Sequence, residues 1–197
     1  PVAGMPGIQY MLDRTLLRPR DIIEFFNLCI EQASDNARIT RQMILTAESK
    51  YSAGRLTAIA DEWRGIEPLV AECAQLLRGM KATFELKDLA DEDVHTMCER
   101  FFIEHYQKKS AFLNVAKRHC EGHADASATQ VRLALLNLFY KIGPVGVKPS
   151  AQEKYTWSHD GVPTLDGLGL DDNCNVRVQK TFRKSLNTNE GGPGNRD

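Results

Sequence analysis

"SATQVRLALLNLFYKIGPVGVKP", Ser127–Pro149, decides the fold. Its first part reads as a helix with Ser127 or Thr129 as N-terminal cap and an apolar run to Tyr140. From Gly143 the pattern turns to β. "GPVGVKP" and "KYTWSHDG" read as two strands of a hairpin joined by the polar "SAQE", and "NVRVQKTF" as a third short strand entering a helix. Helices followed by a short hairpin is the order expected of a winged helix.

Working upstream, "QKKSAFLNVAKR" reads as a helix with Lys108, Lys109, Lys117 and Arg118 solvated. "KDLADEDVHTMCERFF" opens with acids that suit a helix start and continues with Val94, Met97, Cys98, Phe101 and Phe102. "KATFEL" alternates and predicts a short strand. Leu69, Cys73, Leu76, Leu77 and Met80 keep a helical period after the punctuation "RGIEP". Before it, Ile39, Met43, Ala47, Tyr51, Leu56, Ile59 and Trp63 mark another helix, which Gly54 is expected to bend or split. The expected architecture is mostly α. Residues 1–66 form a helical unit, 67–187 a winged-helix-like α+β module with a small β-hairpin, and 188–197 ("TNEGGPGNRD") a disordered tail.

Composition excludes several function classes. The chain has 197 residues, 42% hydrophobic and 26% charged, which fits a globular core rather than disorder. A formal net charge of −1 gives no global attraction to nucleic acid or acidic membranes. The five cysteines, Cys29, Cys73, Cys98, Cys120 and Cys174, have no disulfide-like rhythm. With no signal peptide and no apolar run of about 18 residues, they predict reduced thiols and a cytoplasmic location without membrane contact. The aperiodic opening "PVAGMPG" reads as part of something longer, although loss of an initiator Met before Pro1 gives the same start.

Few constellations carry chemistry. His95 and Cys98, then Cys120 and His123, have zinc-like spacings, but Cys98 lies on an apolar helix stripe and no knuckle surrounds the pairs, so no metal is expected. Neither a nucleophile elbow nor a Walker loop is present, so the isolated chain is expected to hold no cofactor and to catalyse nothing. Asp91, Glu92 and Asp93 suit a helix N-terminus, and Asp171 and Asp172 a loop. A winged helix raises nucleic-acid binding as the alternative function, with Lys148, Lys154, Arg177 and Lys180 on phosphates. Against it, the helix from Thr129 offers only Gln130, Arg132 and Asn137 among apolar residues, and nearby acids nearly cancel the basic ones.

"RTLLRPRDIIEFFNLCI", Arg14–Ile30, raises a different question. Ile22, Ile23, Phe25, Phe26, Cys29 and Ile30 predict a broad apolar stripe on a helix. Pro19 fits its first position and Asp21 the positive dipole end. Arg18 and Arg20 oppose that dipole, so an anion is expected opposite them, with Asp13, Asp21 or Glu24 as the ordinary intramolecular partners.

That stretch, together with "AESKYSAGRLTAIADEW" and "LLNLFYKIGPVGVKP", resembles the C-terminal part of an uncharacterised family of large bacterial P-loop ATPases related to the KAP and STAND groups. The resemblance spans most of Tyr10 to Leu186 and is most specific in its first block. It implies that residues 1–66 form a helical lid and that the winged-helix-like module relays nucleotide state. By position it implies that Arg20, with Arg18 beside it, senses a nucleotide phosphate held outside this chain. The implied function is a regulatory C-terminal region of an NTPase that mediates protein interaction and is not catalytic alone. ATP is then expected in an upstream NTPase domain, which is the first expected partner. Another protein or a second copy of the chain is the next.

Overall fold

Pro19 and Thr40 begin the two helices that build the first half of the molecule. The computed structural model describes residues 2–16, 18–34 and 36–189. A short α1 (Gly7–Leu12) precedes α2 (Pro19–Ala33), which starts with Pro at its first turn. In α3 (Arg41–Trp63) the Thr40 hydroxyl accepts the Met43 N–H at 3.3 Å and caps the helix. Gly54 does not split α3, which runs without interruption from Arg41 to Trp63. Between these helices lies a small core of Val2, Tyr10, Met11, Phe25, Cys29, Ile44, Ala47 and Tyr51. Phe25 and Tyr51 stack at 5.0 Å between ring centroids.

The far end of α3 enters a second, larger core through Ile59. Here α4 (Val70–Cys73) is a single turn followed by a 3-10 turn over Ala74–Leu77, shorter than the apolar period suggested. Leu69, Val70, Cys73 and Leu77 nonetheless all point inward. After strand β1 (Thr83–Glu85) come α5 (Asp91–Glu104), α6 (Ala111–Cys120) and α7 (Ala128–Ile142). Ser110 caps α6 and Ser127 caps α7 through their hydroxyls. Gly143 ends α7 at φ 101°, a left-handed position that favours glycine, and the chain passes directly into β2 (Val145–Lys148).

The strand partners differ from the expected hairpin. β2 pairs antiparallel with β3 (Asn175–Val178), Val145 opposite Val178 and Lys148 opposite Asn175, and β3 also pairs with β1. The sheet order is therefore β1–β3–β2. "KYTWSHDG" supplies only an isolated bridge, Thr156 to Val147. Trp157 lies across Gly146, where an added Cβ would stand 2.6 Å from the indole ring. The segment thus covers β2 with a side chain instead of extending the sheet.

A last turn, α8 (Lys180–Arg183), follows β3 as expected and fastens the two cores together. Thr181 donates its hydroxyl to the Arg14 carbonyl at 2.9 Å, Lys180 reaches Asp13 at 3.0 Å, and Ser185 N–H donates to Ser52 Oγ at 2.9 Å. Thr188 and Asn189, expected in the tail, are described: Asn189 N–H donates to the Met80 carbonyl at 2.9 Å. The rest of that tail, residues 190–197, lies outside the described residues. The protein is mostly α with a small antiparallel sheet.

Candidate functional site

The N-terminus of α2 carries the two arginines singled out by sequence. Arg18 occupies the N-cap position in extended backbone, its side chain caps nothing, and it is exposed. Arg20 is also exposed, and its nearest carboxylate, Asp21, stands 3.9 Å away, too far for a hydrogen bond. Neither guanidinium makes a hydrogen bond among the described residues.

Along α2 the core takes Asp21, Phe25, Cys29 and Ala33, spaced by i+4. The apolar stripe expected to be buried is therefore too wide. Ile23, Phe26 and Ile30 fall at i, i+3 and i+7 on an outer face and are 60%, 43% and 49% exposed. Three large apolar side chains thus lie exposed on one helix face, next to two exposed cations.

Beneath it, Asp21 has a second role beyond helix initiation. Its carboxylate is wholly buried and has no hydrogen-bond partner, and Arg55 of α3, also buried, stands 3.9 Å away. Tyr51 lies beside them, its hydroxyl unpaired, and burial followed by the Asp21 charge pushes its pKa up. The ion pair fixes α2 against α3 by Coulomb attraction in a dry setting. Sequence reasoning missed Arg55 altogether. A signal existed, since Ser52, Arg55 and Ile59 share helical spacing with Ile44, Ala47, Glu48 and Tyr51.

Two of the residues expected on nucleic-acid phosphates, Lys148 and Arg177, come together over the Tyr155 ring, at 5.2 and 3.9 Å from its centroid. Lys154 is exposed, and Lys180 is engaged by Asp13. Arg132, expected to be one of the few polar residues displayed by α7, is buried instead. It meets Asp172 through two nitrogens, at 2.9 and 2.6 Å, and also pairs with Asp91. Thr129 donates to the same Asp172 carboxylate at 2.6 Å. These bonds hold the Asp172 carboxyl below its ordinary range.

The thiols carry no nucleophilic promise. Burial pushes Cys29 up to about 11 and Cys98 and Cys174 up to about 12, so all three remain protonated at neutral pH. His95 approaches His119 at 3.2 Å and Glu99 at 3.3 Å, while His123 pairs with Glu121. Among the described residues no group of three or more His, Cys, Asp or Glu side chains gathers as a metal site. No helix among them is long and apolar enough to cross a membrane.

Residues 1–60 match the family model described as the FunZ-associated C-terminal helical domain. The matched segment contains the whole small core, α1, α2 and the greater part of α3, hence the arginine pair and the exposed α2 face. No curated protein and no solved structure matches the chain. The first 60 residues are thus similar to a helical domain that is described as C-terminal.

Proposed function

We propose that this chain is the regulatory C-terminal region of a larger P-loop NTPase, and that it docks on the rest of that protein through the outer face of α2. The observation that carries the reading is the exposed stripe Ile23, Phe26 and Ile30, with Arg18 and Arg20 at its end. An apolar patch rimmed by charge is the usual anatomy of a binding surface. A helix N-terminus with two guanidiniums suits a phosphate, so Arg20, with Arg18 beside it, reads the nucleotide held by the partner domain. The similarity of residues 1–60 to a C-terminal helical domain supports a place at the end of a longer polypeptide.

In this reading residues 1–66 act as the helical lid and 67–187 as the winged-helix-like relay. Support for the relay comes from the order helix, β1, helices, α7, β2, β3 and from β3 lying between β1 and β2. ATP belongs to the partner domain and not to this chain. Five free thiols suit a reducing compartment, hence the cytoplasm. The test is ATP turnover by the intact polypeptide and by this chain alone. We expect none from the chain alone, and an altered rate in the intact protein on Arg20→Gln. Turnover by the chain alone, or an Arg20→Gln rate equal to wild type, overturns the proposal.

A second reading, nucleic-acid binding, rests on Lys148 and Arg177 flanking Tyr155. It predicts a salt-dependent gel shift that Lys148→Gln with Lys154→Gln abolishes. Absence of any shift at low salt ends it.

A further inference from the structure

A cavity of about 330 Å³ lies between the end of α3, the helices α6 and α7 and the loop that carries Asp166. Trp63, Phe112, Val115 and Leu138 make its walls largely apolar. The loop wall is held in place: the Tyr140 hydroxyl donates to the Val162 carbonyl at 2.7 Å, and Leu165 is buried in the core. Glu67 lines this cavity too. Its backbone N–H donates to the Trp63 carbonyl at 2.8 Å, and the residue is only 8% exposed. Yet its carboxylate makes no hydrogen bond or ion pair among the described residues. Lys141 also lines the cavity, but its ammonium sits over the Trp63 ring, 5.5 Å from the centroid, and pairs with no carboxylate among them.

A buried carboxylate without a partner is costly, and an ammonium donating to it would offset that cost through charge-assisted hydrogen bonds. Asp166, exposed on the loop and likewise unpaired among the described residues, adds a second negative charge against the single Lys141. The field in the cavity therefore favours a cation. The Trp63 indole adds a face that attracts cations, as the position of Lys141 shows. A bare metal ion does not fit, since magnesium and calcium take roughly six to eight oxygen ligands and most of this lining is hydrocarbon. The volume lies at the lower end of the range for small-molecule sites, roughly 300–1,000 Å³. It suits an amine whose apolar body is one ring or a short chain.

We infer that this cavity binds a small primary amine with an apolar body, its ammonium on Glu67 and its hydrocarbon part against Trp63, Phe112 and Leu138. None of these residues belongs to the α2 face, so the docking proposal stands or falls separately. The experiment is isothermal titration of the 197-residue chain with phenethylamine, and with phenethyl alcohol and phenylacetate as neutral and anionic counterparts of like size. Saturable one-to-one binding of the amine is expected, at least about tenfold tighter than the alcohol, with phenylacetate weakest. Glu67→Gln keeps the size of the side chain and should bring the amine down to the affinity of the alcohol. Asp166→Asn, at an exposed position, should weaken the amine about twofold, and Lys154→Gln should leave it unchanged. Because Glu67→Gln removes an unpaired buried charge, the melting temperature of the free chain should hold or rise. A fall in it would show that Glu67 has a structural partner and overturns the inference. So does the absence of saturable heat with the amine, an alcohol or phenylacetate affinity that matches it, or an amine preference that survives Glu67→Gln.

Discussion

Asp21 and Arg55 are opposite charges sealed between two helices, and neither has a direct hydrogen bond to the other. Removing one partner leaves an uncompensated buried charge, which costs about 3–5 kcal/mol. Arg55→Met should therefore destabilise by that amount in urea unfolding, whereas Asp21→Leu with Arg55→Met should cost less than Arg55→Met alone. A double variant worse than the single would show that the pair is not the source. The Arg132–Asp172 contact behaves differently because it is hydrogen-bonded throughout. Arg132 lowers the folded pKa of Asp172, so the stabilisation is complete above the unfolded value, about 3.9, and is lost as pH falls through the depressed folded value. Asp172→Asn should lower Tm at pH 7, and the gap to wild type should close only under strong acid. A gap independent of pH contradicts this. The residues at both sites are visible as letters, yet a charge at a core spacing can face either way. Asp21 matched the helix-start preference and Asp172 a loop preference, and these local explanations hid their long-range partners.

At the scale of elements, α2 was legible as a helix from Pro19 and its apolar period, but not in its orientation. The core needs one narrow face, and Ile23, Phe26 and Ile30 are in excess of it. The helices of the second half follow their caps, Ser110 and Ser127. Strand pairing was less legible, because "NVRVQKTF" is separated from β2 by a long segment and local spacing favoured the nearer "KYTWSHDG". Beside Gly146 the nearer segment contributes one backbone bridge and the Trp157 ring in place of a regular strand. A Cβ there would meet the Trp157 ring at 2.6 Å, so Gly146→Ala should displace the indole and cost about 1–3 kcal/mol in thermal or urea unfolding. Unchanged stability together with unchanged Trp fluorescence would contradict that packing.

The whole molecule consists of two cores joined by α3 and fastened again by α8 through Thr181, Lys180 and Ser185. α3 packs on both α2 and α8. The proposed relay between the α2 surface and the β1–β3–β2 module would have to run through these contacts. The similarity of residues 1–60 to a helical domain coincides with the small core and not with the larger one. None of this joining was legible from sequence, because Ser52 and Ser185 or Asp13 and Lys180 are ordinary surface letters until the fold brings them together.

The most direct test of the docking claim is photo-crosslinking in the intact polypeptide, with a benzophenone side chain at Phe26 or, as control, at the exposed Gln42 of α3. The account predicts an intramolecular adduct from position 26 to a nucleotide-binding domain that carries a Walker loop, and none from position 42. Equal yields at the two positions, no adduct at 26, or a polypeptide without a Walker loop would contradict it.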